Sequence, residues 1–263
     1  MSRSFALAVL CLALGATVVP TRAKADFSAC ESAMRSSSGL DEKIRLYTIC
    51  ITKGALSFKD RAGALNNRGA LYVAKGDRDA ALADFNRAVE LDPEWGASFL
   101  NRGLMHLTRH ELVEAEADFT AVTQRVPSQL WPTAYVWRAH VHVARGDFPD
   151  ALADFDLAIR QDPKNPAGLN GKAWFLATCP DAQYRNGAMA IDLAKRALAR
   201  SDSAAVRDTL AAAYAEAGQF DEAVAEEQRA IEIERKSSAT PGAQYESHLA
   251  VYKDRHPYRD IAP

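Results

Sequence analysis

Three stretches of the chain superpose on one another, and that recurrence limits the fold more than any single residue does. Residues 67–93 read NRGALYVAKGDRDAALADFNRAVELDP, residues 101–127 read NRGLMHLTRHELVEAEADFTAVTQRVP, and residues 137–163 read WRAHVHVARGDFPDALADFDLAIRQDP. The offsets are 34 and 36 residues, and weaker copies follow around 172–198 and 210–233. A period of this length, with a turn residue in the middle and proline at the end, describes a helix-turn-helix unit. One such unit cannot cover its own apolar face, so copies must stack. The fold class expected is all-α, and the default task of such a stack is to hold something rather than to convert it.

With Ala62 as position 1, position 8 is small in every copy: Gly69, Gly103, Ala139, Ala173 and Ala211. Position 20 is alanine throughout (Ala81, Ala115, Ala151, Ala190, Ala223), and position 27 is alanine or valine (Ala88, Val122, Ala158, Ala197, Ala230). Position 24 is aromatic in three copies, Phe85, Phe119 and Phe155, a knob among small neighbours. Pro93, Pro127 and Pro163 stop the second helix of each copy by removing an N–H and fixing φ. Gly76, Gly146 and Gly218 occupy the turn between helices, where a left-handed residue is needed, and His110 takes that place in the second copy at greater cost. This pattern resembles the tetratricopeptide repeat. The resemblance implies a right-handed solenoid of about five repeats, over 62–95, 96–129, 132–165, 166–203 and 204–235. The fourth copy departs from it with a longer turn around Cys179-Pro180-Asp181 and Ala194 in place of the knob. The fifth puts Glu227 at the knob position, which suits a last repeat with less stacked on it.

The flanks are of a different kind. Arg3, an apolar run from 5 to 19 and Ala23-Lys24-Ala25 make residues 1–25 a secretory leader, so the chain is expected to be exported, to the periplasm or beyond it. No later run is long and apolar enough to span a membrane. Without the leader, 29 basic and 34 acidic residues remain, a balance of −5. No basic stripe offers to neutralise phosphates, which argues against nucleic acid as a partner. Residues 26–61 read as a degenerate leading repeat that caps the stack, with Tyr47 at the aromatic position. Its two helices would bring Cys30 near Cys50, and an oxidising compartment would let them form a disulfide, although two buried thiols remain the alternative. Residues 236–263 read as a linker, a C-terminal capping helix with Leu249 and Tyr252 as apolar contacts, and a frayed end from His256.

No residue volunteers for catalysis: there is no nucleophile–base pairing and no phosphate-cradling glycine loop. No cofactor or metal is expected either. His140 and His142 point away from each other on a helix, and His106 and His142 share a position otherwise filled by packing residues. Arg68, Arg102 and Arg138 recur with Asp84, Asp118 and Asp154, and a feature present in three successive units belongs to the unit, as an Arg–Asp bracket between its helices. In the resembling family the first helices of successive repeats line a concave groove. That places Asn67, Leu100, Asn101, Leu104, Leu107, Val136, Trp137, His140, Asn170 and Trp174 on it, an apolar set with two indoles. Exposed apolar surface with tryptophan marks a binding site for a protein segment. Trp137 and Trp174 filling space between helices, or lying under the chain's own C-terminal segment, is the competing reading. The expected function is a non-catalytic interaction scaffold, with self-association into a homo-oligomer or envelope assembly as the alternative.

Overall fold

Small residues at fixed positions and a capping side chain at several helix starts accompany thirteen α-helices among the described residues. The computed structural model describes residues 28–260 apart from 36, 38, 55, 126–127 and 238–241; the leader expected at 1–25 lies outside them. The contacts group the chain into two compact units, one up to Leu130 and the other from Trp131, which are taken in turn.

The first unit comprises α1 (Ser28–Arg35), α2 (Leu40–Lys53), α3 (Phe58–Lys75), α4 (Arg78–Leu91), α5 (Gly96–Thr108) and α6 (Leu112–Arg125). Ser57 caps α3 by accepting from the Asp60 N–H, and Asp77 caps α4 through the Ala80 N–H, satisfying donors that a helix start leaves free. Gly76 closes α3 at φ 85°. The corresponding turn between α5 and α6 puts His110 at φ 64°, in the left-handed region that a side chain resists. Pairs α3–α4 and α5–α6 pack as antiparallel hairpins, and α3 lies beside α5. Position 8 explains its own composition. A Cβ on Gly69 would come within 2.6 Å of the Phe85 ring, and one on Gly103 within 2.8 Å of Phe119. Cys30 and Cys50 join α1 to α2 as a disulfide with Cα atoms 5.3 Å apart, an ordinary span for such a bond.

The second unit comprises α7 (Trp131–Arg145), α8 (Phe148–Gln161), α9 (Pro166–Thr178), α10 (Gly187–Leu198), α11 (Ala204–Glu216), α12 (Phe220–Ser237) and α13 (Ala243–Lys253). Asn165, Asn186 and Ser203 cap α9, α10 and α11. Helices α7, α9 and α11 run side by side, each paired with the helix that follows it. Here the knob Phe155 is met by the next repeat: a Cβ on Gly171 of α9 would stand 2.6 Å from its ring. The longer turn of the fourth copy is a short 3-10 segment, Ala182–Tyr184. Arg185 closes it by donating from Nη1 to the carbonyls of Cys179 and Pro180. Cys179 itself is buried, and that burial pushes its thiol pKa up, so its environment favours the protonated, unreactive form. None of the helices among the described residues is long and apolar enough to cross a membrane.

Candidate functional site

The Arg–Asp pairs are structural brackets. Arg68 donates from Nε and Nη2 to both oxygens of Asp84 at 2.8 and 2.7 Å. Arg102 grips Asp118 at 2.9 and 2.6 Å, and Arg138 grips Asp154 at 2.7 Å twice. Each guanidinium also lies over an aromatic ring, of Tyr72, Phe99 and Tyr135 respectively, 5.4 to 5.7 Å from its centre. The histidines of position 11 lie beside the same brackets: His106 Nε2 is 3.9 Å from Asp118 Oδ2, with its Nδ1 2.5 Å from Glu111 Oε2, and His142 Nε2 is 3.5 Å from Asp154 Oδ2. Two donors of a planar fork on one carboxylate give each of these three repeats a fixed angle between its helices.

In the first unit, the groove candidates turn partly inward. Leu100 and Leu104 are buried, whereas Leu107 is partly exposed. Asn67 donates to the Tyr47 hydroxyl at 3.3 Å, tying the capping helix α2 to α3. Asn101 donates to Asn66 at 2.9 Å, tying α5 to α3. Both amides are therefore engaged inside the protein.

In the second unit, Val136 and Trp137 are buried, neither more than 8% exposed. His140 lies 5.5 Å from the rings of both Trp137 and Phe155, and its burial pushes the imidazole pKa down to about 4. Asn170 and Trp174 share one face of α9, four residues apart. The Asn170 Oδ1 is buried and meets no donor. Trp174 is covered. The chain's own C-terminal residues, expected to fray, lie against the end of α9. Trp174 Nε1 donates to Asp260 Oδ2 at 3.0 Å, and the Asp260 N–H donates to the Thr178 carbonyl at 3.0 Å. Arg259 donates to the Ala177 carbonyl and pairs with Glu216 at 2.6 Å. The Tyr258 ring sits 5.9 Å from Trp174 and 4.2 Å from His248. Thus an extended aromatic–basic–acidic triplet satisfies carbonyls at the C-terminal end of a helix, groups that otherwise need water or a capping residue.

A second polar group lies beneath α13, and it overturns the expectation for the last repeat. Glu227, at the knob position, is 0% exposed. Asp208 of α11 and His248 of α13 stand beside it, with His248 Nδ1 2.8 Å from Asp208 Oδ1. Burial, and then the charge of Asp208, raise the Glu227 pKa to about 10. The polar knob is not a sign of an open end; the capping helix covers it and supplies the matching polar chemistry. The signal available in the sequence was the substitution of an acid for an aromatic. His248 sits outside every repeat copy, so the period could not align it with anything.

Comparison with known proteins agrees with this architecture. Tetratricopeptide repeat families match residues 62–94, 133–179 and 203–237. Among curated proteins, DnaJ homolog subfamily C member 3 of Rattus norvegicus is 38% identical over 66 residues, 25% of this chain and 13% of that one. Superkiller complex protein 3 of Mus musculus is 33% identical over 93 residues, 34% of this chain and 6% of that one. The chain thus spans only a small part of either relative. Among solved structures, a thermophilic TPR protein of Thermus thermophilus has a TM-score of 0.61 at 22% identity, covering 73% of this chain and 98% of its own. Yeast Tom70 has a TM-score of 0.61 at 22% identity, covering 88% and 46%. Likeness at this identity concerns the fold.

Proposed function

We propose that this chain, a tetratricopeptide-repeat protein and so a protein-interaction scaffold in general terms, holds an extended segment of another protein on the α9 face of its second unit. The observation that carries this reading is the chain's own segment Tyr258–Asp260 lying on Trp174 and on the terminal carbonyls of α9. Within the same unit, His140 is a further partly exposed candidate, with Val136 and Trp137 in the core beside it. No chemistry of its own is assigned to the chain. Export to the periplasm is part of the proposal; it rests on the leader at 1–25 and on two cysteines at bonding distance.

A synthetic peptide of residues 254–263, added to protein lacking 256–263, tests the face directly. Saturable binding that changes tryptophan fluorescence, and is lost in Trp174→Ala at unchanged helical content, supports a segment-binding site. Cross-linked capture from an envelope extract, with and without the tail, then names the occupant. A partner taken only by the shortened chain is the expected result. Capture of nothing but a second copy favours self-association, and no peptide binding removes the face from consideration.

A further inference from the structure

We propose that Asp208, Glu227 and His248 form a binding site for a divalent transition-metal ion of the zinc class, pinning α13 onto the last repeat. One donor atom from each of the three lies within 4.8 Å of the other two, and all three residues are buried. They arrive on three different helices, α11, α12 and α13, so the cluster is made by tertiary packing and not by a run of acids along one surface. Neither oxygen of Glu227 meets a hydrogen-bond donor. A second, separate group points the same way: the Tyr252 hydroxyl, on a side chain 0% exposed, also lacks a partner. Burial first, and then the charges of Asp208, Glu227 and Tyr258, push its pKa well up.

Two carboxylates in a protein interior must share a proton or take up a cation, since both cannot stay charged and unpaired. His248 is the one basic group paired with the cluster among the described residues. Without an ion, Glu227 keeps its proton and shares it with Asp208. A dication replaces that proton: Glu227 releases it to solvent and binds as carboxylate, and two negative charges meet two positive ones. One imidazole with two carboxylates suits zinc or manganese over calcium or magnesium, which prefer oxygen alone. Bond lengths of about 2.0–2.2 Å put neighbouring ligand atoms roughly 3.0–3.5 Å apart. The 2.8 Å contact between His248 and Asp208, within a cluster bounded by 4.8 Å, requires only a small adjustment.

The test is Zn2+ titration of the chelator-treated protein by calorimetry, in two buffers of different ionisation heat. One Zn2+ per chain, release of a proton on binding and a raised thermal midpoint are expected. Glu227→Gln copies the protonated side chain in shape and in neutrality. It should keep the metal-free fold yet weaken Zn2+ binding by roughly 100-fold or more. Binding that is absent, or that has the same affinity in Glu227→Gln, overturns the proposal; the latter result would assign the ion to another site. Should that variant not fold, Co2+ added to the unaltered protein decides. Visible ligand-field bands with paramagnetic shift of the His248 ring signals support the site, and unshifted His248 signals at saturating Co2+ overturn it. Neither outcome depends on whether a partner segment binds α9.

Discussion

The two units are built from the same repeat and closed by opposite chemistry. Inside each, a knob phenylalanine presses on a glycine or alanine and an arginine fork holds an aspartate. At its capping helices the first unit uses a covalent bond, Cys30–Cys50, with the Tyr47 hydroxyl held by Asn67. The second unit ends on a buried acid, an imidazole and an acid below α13, and on a tail held by Trp174, Glu216 and two carbonyls. Repeats need closing because each buries only what its neighbour covers. The difference teaches that the repeat interior is generic, and that what is particular to this chain lies where the repeats stop. One closure answers to the redox state, the other to protons and to whatever can replace a proton.

The largest expected effect breaks the first closure. Cys50→Ser, or reduction, should cost about 2–4 kcal/mol of the local stability of α1 and α2. Repeat arrays need not unfold as one cooperative block, so the measurement is amide hydrogen exchange, helix by helix. Protection should fall in α1 and α2 and stay unchanged in α7 to α12. Equal loss in both units would erase the contrast between a local covalent clamp and a separate second closure.

In the second unit, protons should act in two opposing directions. Glu227, whose pKa rises from 4.5 unfolded to about 10 folded, binds more protons in the native state. Its contribution is therefore most favourable below pH 4.5 and is lost as pH climbs towards 10. His140, lowered from 6.5 to about 4, does the reverse: the unfolded chain takes up the proton between those values, so stability is lost on acidification through that window. Each slope is at most about 1.4 kcal/mol per pH unit, and a total on the order of 1–3 kcal/mol is expected for each after relaxation. Metal-free Glu227→Gln should match the parent at about pH 4 and exceed it increasingly at neutral and alkaline pH. His140→Gln should flatten the acid side instead. Thermal midpoints across roughly pH 4–9 in the presence of chelator read both, and a parent curve unchanged by either substitution would remove the proton-sensitive half of the comparison.

What the sequence made legible follows the same division. Phe85, Phe119 and Phe155, their small partners and the three Arg–Asp forks recur, and recurrence is what an alignment of the chain with itself detects. The change of offset from 34 to 36 residues falls beside Trp131, where the contacts divide the units. Contacts made once are invisible to that method. Trp174 and Asp260 are 86 residues apart, and His248 belongs to no copy. The groove set erred towards exposure for a related reason. Position on the first helix says which way Leu104 or Trp137 faces, but not how much of the facing surface the neighbouring helices already cover.

The smallest effect concerns the turns, where the units differ by one residue. Gly146 and Gly218 supply left-handed backbone in the second unit at φ 80° and 76°, and Gly76 does so in the first at 85°. His110 adopts φ 64° with a side chain that is exposed. The turn is held through the backbone, by the His110 N–H on the Leu107 carbonyl and the Glu111 N–H on the His106 carbonyl. Glycine keeps both bonds. The strain of a left-handed L-residue, about 1–2 kcal/mol, is removed, and the extra freedom of glycine in the unfolded chain returns part of it. His110→Gly should therefore stabilise the α5–α6 hairpin by about 0.5–1 kcal/mol, read as slower amide exchange in those two helices. If exchange there accelerates, the histidine holds the turn through its ring, and the first unit has an anchor at this position that the glycine turns of the second do without.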